Sequence, residues 1–232
     1  MGGIVLKILV ADNLCKCYGK NENKIRAVNN VSLEVMEGAL VAIMGPSGSG
    51  KSTLLNLLAG LDKPDSGKVY INGVDIYKLK DNELTKFRRK NIGFVYQFYN
   101  LVPVLTVKEN ILLPALLDNK KYDKKYFYSL IKTLGLSDRL NHLPNEISGG
   151  QQQRASIGRS LINKPKILFA DEPTGNLDSR SKKSVMKLLK FYNRKYHQTI
   201  VIVTHDVSVA KMADKIIVFK DGNVKEERIA GK

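Results

Sequence analysis

The 232-residue chain is poor in several things, and each shortage narrows what it can be. It has two cysteines, Cys15 and Cys17. No second pair accompanies them, so they lack zinc-finger spacing. Two positions apart in a strand, they would point to one face. They read as reduced and structural, which suits the cytosol. No apolar run approaches the ~18 residues that a membrane-crossing helix needs. No basic-then-apolar leader with a cleavage site opens the chain: Gly3–Val10 is short and runs into a polar stretch. We therefore expect a cytosolic protein made without export. No internal repeat or low-complexity segment is present.

Acidic residues are scarce as well. Only 22 Asp and Glu face 38 Lys and Arg, a formal net charge of +16. Nucleic acid, an anionic membrane surface or nucleotide phosphates would each answer such a surplus. The basic residues are spread along the whole chain, with only short runs such as Arg88–Lys90 and Lys182–Lys183. No recognition helix or RNA-binding signature goes with them, so no specific nucleic-acid partner is expected. A solvated Lys-rich surface accounts for most of them, and a subunit docked near anionic lipid would also gain.

What the chain does have is enough length for a sizeable core and one unmistakable loop. Gly45, Pro46, Ser47, Gly48, Ser49, Gly50, Lys51, Ser52 and Thr53 follow the apolar run Leu40–Met44 and open an apolar-periodic run at Leu54, Leu55, Leu57 and Leu58. That is strand, glycine loop, helix, and it satisfies G-x-x-x-x-G-K-[ST]. Glycines let successive backbone N–H groups turn inward onto phosphate oxygens, and the helix adds its positive end. Lys51 can reach the β/γ-phosphates, and the Ser52 hydroxyl can ligate Mg²⁺.

The rest of the chain reads as a mixed α/β pattern. Strands are expected at Ile4–Asn13, Ala27–Glu37, Leu40–Met44, Val69–Ile71, Val74–Ile76, Ile92–Tyr96, Ile167–Ala170, Thr199–Val203, Ile216–Phe219 and Asn223–Glu226. Asn72-Gly73 marks a type I′ hairpin between two of them. Helices are expected at Asn82–Lys90, from Val107 behind a Thr106/Glu109 capping box, at Tyr122–Leu134, after Ser148 to about Leu161, and at Ser181–Tyr196. Tyr18 falls in a polar stretch, Lys16–Asn23, read as a loop. Its ring could stack on an adenine.

Three further clusters carry chemistry. Asp171 and Glu172 end the apolar strand Ile167–Ala170, the edge where ligands bind in open α/β sheets. Asp171 can hold Mg²⁺ there. Glu172, pointing the other way along a strand, can polarise a water for attack on a γ-phosphate. His205 ends the next parallel strand and could touch the γ-phosphate or that water. Ser148-Gly149-Gly150-Gln151 is a capping box with two glycines at a helix start, where a phosphate can approach closely. One nucleotide is not easily reached by both helices in one chain. A second copy presenting Ser148 would resolve this.

Gly45–Thr53, Gln97, Ile147–Gln151, Ile167–Pro173, Asp178 and His205 occur in the order found in the ATP-binding-cassette (ABC) ATPases. They resemble that family's Walker A, Q-loop, signature, Walker B, D-loop and switch-histidine motifs. Tyr18 matches its adenine-stacking aromatic. Ile147 stands where the family usually has Leu, and no catalytic position is lost. Glu172–Asp178, Gly60–Asp62 and Leu101–Asn110 look like the branch of macrolide exporters, lipoprotein-release systems and bacitracin or peptide-antibiotic resistance systems. A cell-division ATPase without known transport belongs to the same branch.

The resemblance implies a single ABC ATPase domain over 1–232. Its P-loop NTPase (RecA-like) core and antiparallel β subdomain would occupy 1–96 and 165–232, and its α-helical signature subdomain 97–164. It implies ATP and Mg²⁺ as cofactors. Glu172, His205, Lys51 and Gln97 would be catalytic, and Ser52, Gln97 and Asp171 would be the metal set. Ser148, Gly149, Gly150, Gln151 and Asp178 would complete the site of a second copy in a homodimer. It also implies a separately encoded integral membrane permease, with this chain peripheral on the cytoplasmic face of the membrane. A nucleic-acid-linked relative would explain the charge, but such proteins usually carry a coiled-coil insertion or a second cassette, for which this chain has no room.

Overall fold

The computed structural model describes residues 6–19, 24–117 and 122–229. Two sheets carry the architecture. The first has six strands in the order β10-β9-β3-β8-β7-β6. β3 (Leu40–Met44), β6 (Ile92–Val95), β7 (Ile167–Asp171), β8 (Thr199–Thr204) and β9 (Lys215–Lys220) run parallel, and β10 (Asn223–Ile229) closes one edge antiparallel. The second sheet is antiparallel, in the order β2-β1-β4-β5. It is built from β1 (Lys7–Tyr18), β2 (Ile25–Met36), β4 (Ser66–Ile71) and β5 (Val74–Asp75).

The parallel strands are unbroken apolar runs because both of their faces are covered. Their side chains divide with period two. Leu40, Ala42, Leu168, Ala170, Ile200 and Ile202 join a core with helices α3 (Val107–Leu116), α4 (Lys124–Leu134), α5 (Gly149–Leu161) and α6 (Ser179–Tyr196). Val41, Ile43, Ile167, Phe169, Val201 and Val203 join a second core with the antiparallel sheet and helix α1 (Lys51–Leu58). Each buried Leu or Ile contributes roughly 1.5–3 kcal/mol of transfer free energy, so these two layers fix the direction of the central strands. Helix α2 (Asp81–Asn91) precedes β6, and a short helix α7 (Val207–Ala210) follows β8.

The element boundaries agree with the sequence reading in the sheet interior and differ at its margins. Tyr18 is the last residue of β1, not a loop residue, because β1 continues past Asn13 by pairing Lys16, Cys17 and Tyr18 with β2. Expectations at residues 4–5 and 20–23 lie outside the described residues. Ile76 leaves β5 to start a 3-10 turn, which Asp75 caps by accepting from Tyr77 N at 3.2 Å. Helix α4 begins at Lys124 rather than Tyr122, since Asp123 accepts from Tyr126 N at 3.0 Å as its N-cap. The Asn72-Gly73 turn has φ of 50° and 76°, as a type I′ hairpin requires.

Candidate functional site

The parallel strands deliver their C-terminal ends to one cleft of about 780 Å³. Its lining includes Ser47–Thr53, Gln97, Glu172 and His205. The loop after β3 is held by close backbone approaches. A Cβ at Gly50 would sit 2.0 Å from the Ala27 carbonyl oxygen, and its φ is 96°, so only glycine fits there. Gly50 is also the N-cap of α1, which has no side-chain cap. The first amides of α1 are therefore left for a ligand.

Lys51 is 5% exposed, and its Nζ donates to Pro46 O at 2.6 Å. Burial lowers its pKa, while Glu172 and Asp171 pull the other way. The Ser52 hydroxyl donates to Asp171 Oδ1 at 3.0 Å, which brings the two expected oxygen ligands together across α1 and β7. Burial raises the Asp171 carboxyl above its usual range; the Ser52 bond opposes this, and Glu172 reinforces it. A carboxylate that is costly to ionise, beside a hydroxyl, suits a hard dication that keeps most of its waters. Among the described residues no cluster of three or more His, Cys, Asp or Glu competes for that ion.

Glu172 lies one residue beyond β7 and has φ of 45°. Strand alternation therefore does not set its direction, contrary to the sequence reading. A left-handed backbone does, pinned by Glu172 N donating to Val203 O at 3.0 Å. Glu172 Oε1 lies 2.8 Å from His205 Nδ1, with the carboxylate side chain 15% exposed and the imidazole 66%. The pair thus joins a largely buried carboxylate to an exposed imidazole at the cleft. Gln97 packs its Nε2 against Gly175, just past Glu172. Gln153 is fully buried and donates to both Tyr96 O (3.3 Å) and Pro173 O (2.8 Å), tying the segment before Gln97 to the loop after Glu172.

The signature residues are elsewhere. Ser148 and Gln151 line a separate concavity of about 790 Å³ with Arg154, Arg180 and Lys187, which shares no lining residue with the first. The capping box is present: Ser148 N donates to Gln151 Oε1 at 2.8 Å, and Gln151 N to Ser148 Oγ at 3.3 Å. A Cβ at Gly149 would meet Tyr99 Oη at 2.6 Å, and one at Gly150 would meet Ser181 Oγ at 2.7 Å. Asp178 caps α6, accepting from Arg180 N and Ser181 N at 2.9 and 3.0 Å. Tyr18 does not line the main cleft, but its strand partner Ile25 does, alongside Arg26 and Ala27. Those three residues, with Asp221 and Gly222, were missed by the sequence reading. Ile25, Arg26 and Ala27 carry no motif and reach the cleft through β2, whereas Asp221 and Gly222 form the turn between β9 and β10, where Gly222 N donates to Ser49 O at 3.1 Å.

A family model described as "ABC transporter" matches residues 28–175, well over half of the chain. A lipoprotein-releasing system ATP-binding protein, LolD, from Wigglesworthia glossinidia brevipalpis is 45% identical over 224 residues, 96% of this chain and 98% of that protein. A bacitracin export ATP-binding protein, BceA, from Halalkalibacterium halodurans is 46% identical over 222 residues, 94% of this chain and 87% of that protein. Among solved structures, a dimeric post-hydrolysis state of the ATP-binding cassette MJ0796 (Methanocaldococcus jannaschii) bound to ADP and Pi superposes with a TM-score of 0.88. It has 44% identity and covers 97% of this chain and 99% of that one. The chain belongs to the ABC transporter ATP-binding family, and within it matches the lipoprotein-release and bacitracin-export branch. Its fold is the P-loop NTPase core with an antiparallel β subdomain and a helical signature subdomain. Membership implies ATPase activity.

Proposed function

We propose that the chain hydrolyses ATP as a head-to-tail pair of identical copies and drives a separately encoded integral membrane protein from its cytoplasmic face, exporting or mechanically releasing a lipoprotein- or peptide-class cargo. The observation that carries the paired reading is the separation of two anion-facing helix starts within one chain. Lys51 and the Gly50–Thr53 amides open into one cleft, whereas Ser148 and Gln151 open into another. The dimeric state of MJ0796, with ADP and Pi bound, supports it. The absence of any helix long and apolar enough to cross a membrane, among the described residues, fits a separate membrane subunit.

In this reading the loop Gly45–Thr53 and Lys51 hold the phosphates, and Tyr18 stacks on the base. Glu172 takes the proton of the attacking water, and His205, 2.8 Å from it, orients that carboxylate and meets the γ-phosphate. Ser52, Gln97 and Asp171 would hold Mg²⁺, which when bound neutralises phosphate charge. Ser148, Gly149, Gly150 and Gln151 of the second copy close over the γ-phosphate, with Asp178 near the seam. Gln97 and the helical region, residues 97–164, pass the separation of the copies to the membrane protein.

The test is the mass of purified Glu172→Gln by size-exclusion chromatography with light scattering. A monomer that becomes a dimer only with MgATP, and turns over ATP about 10²–10⁴-fold more slowly than the parent chain, is expected. Normal turnover would remove Glu172 from its role. A variant that binds ATP yet stays monomeric would overturn closure by a second copy alone.

A further inference from the structure

Tyr18 does not stand alone at the end of β1. Its hydroxyl donates to Asp62 Oδ2 at 2.6 Å. The other carboxylate oxygen, Oδ1, accepts from Lys16 Nζ at 2.9 Å and from Lys63 N at 2.7 Å. The Lys16 ammonium also lies 5.2 Å from the centroid of the Tyr18 ring. The Lys16 side chain is 13% exposed, whereas Tyr18 is 43% exposed. One ring face is thus met by a partly buried cation, and exposed ring surface remains for a ligand.

Asp62 is in turn fastened to the phosphate-loop helix. It sits just past α1, where Leu61 N donates to Asn56 O at 2.9 Å. The Tyr77 hydroxyl lies 2.5 Å from Leu57 O and 2.7 Å from Asp62 O, its one hydrogen shared between the two carbonyls, which ties the Asp62 backbone to the end of α1. Arg88 Nη1 donates to Gly60 O at 2.8 Å in the same segment. Burial works against ionisation of Asp62, but the bonds from Tyr18 and Lys16 outweigh it and hold the carboxyl below its usual range. A permanent carboxylate is a strong acceptor for the phenol. An untethered tyrosine would have to be ordered by the ligand, and that ordering would be lost from the affinity.

We propose that Asp62, braced by Lys16, is a positioning residue for nucleotide selection: it fixes the Tyr18 ring on α1, at a set distance from the phosphate loop, so that a purine base is met by a preorganised face. The inference rests on Tyr18 being the base platform.

The test compares ATP with inorganic tripolyphosphate, which offers the phosphates without a base, as competitors of a fluorescent ATP analogue and in steady-state ATPase assays. Asp62→Ala is expected to raise the KM and Kd for ATP about two- to tenfold, the effect of freeing one side chain. kcat should stay within about twofold, and tripolyphosphate should compete as it does against the parent chain. Asp62→Asn keeps an acceptor for the phenol and should recover most of the loss. Tyr18→Phe, which keeps the ring and removes the hydroxyl, should match Asp62→Ala. The double variant Y18A/D62A should be no weaker than Tyr18→Ala. Weaker tripolyphosphate binding in Asp62→Ala would make Asp62 a prop for the loop and overturn the proposal. So would unchanged ATP affinity in that variant while Tyr18→Ala is impaired. Unchanged ATP affinity in Tyr18→Ala would instead remove the base platform itself.

Discussion

The two helices whose N-termini are proposed to meet phosphates are built in opposite ways. Helix α1 starts at Gly50 with no side-chain cap, so its first amides have no protein acceptor of that kind. Helix α5 starts at Ser148 with a closed capping box that already satisfies the Gln151 amide. Only the Gly149 and Gly150 amides and the Ser148 hydroxyl hydrogen are left to offer a phosphate. A helix end left open by its own sequence binds an anion unaided, and one that is self-capped can only add to an anion held elsewhere. Nucleotide affinity should accordingly belong to one chain, and closure to two.

The largest effect that would break this contrast is on the α1 side. Lys51→Ala removes the cleft's one buried cation among the described residues, and we expect ATP turnover to fall about 10²–10³-fold, the size of losing a single preorganised charge-stabilising donor. ATP affinity should fall with it, measured by ATPase rate and by displacement of a fluorescent nucleotide. Retained activity would move the phosphate site away from α1.

An intermediate effect tests α5. Ser148→Ala should leave the ATP affinity of the single chain within about twofold, because Ser148 is outside the Lys51 cleft. In the Glu172→Gln background it should weaken MgATP-driven pairing about 10²-fold, the loss of roughly one charge-assisted hydrogen bond at each of the two sites of the pair. It should also cost about 1 kcal/mol of stability as a lost cap. Sedimentation with and without MgATP separates these outcomes. If single-chain affinity fell as it does in Lys51→Ala, both helix ends would serve one nucleotide within one chain.

The same contrast explains what the sequence made legible. The phosphate loop and the signature box are local patterns, in which every atom that matters lies within a few residues. The central strands were legible because burial on both faces leaves continuous apolar runs such as Leu40–Met44 and Thr199–Val203. β1 was cut short because register shifts around Ala11–Leu14, with Asn13 at φ of 50°, break the alternation that marks a strand. The direction of Glu172 was hidden because it depends on a positive φ held by Val203, a residue of the neighbouring strand. The Tyr18–Asp62 bond joins residues 44 apart, with Asp62 beyond α1, so no window of sequence contains it. Helix α7 spans only four residues, too few to show a helical period.

The smallest effect concerns what the open helix end costs when it is empty. Asp171 sits between Ser52 and Glu172, and burial raises its pKa. A raised carboxyl binds its proton more tightly in the folded chain than in the unfolded one. Its contribution to stability is therefore full below the ordinary carboxylate pKa and is lost as pH rises through the folded value. At neutral pH the nucleotide-free fold carries an ion that burial disfavours, so Asp171→Asn should melt slightly higher than the parent chain, by roughly 0.5 kcal/mol. That advantage should vanish in acid, where the parent carboxyl is itself protonated. Added MgATP should reverse the order, because binding stabilises only the chain that can complete the site. Melting curves at two pH values, with and without MgATP, measure all of this. An Asn variant that melted lower at neutral pH without nucleotide would mean that the carboxylate supports the resting fold. The end of β7 would then be as self-satisfied as the cap of α5, and the contrast between the two sites would fail at its acidic member.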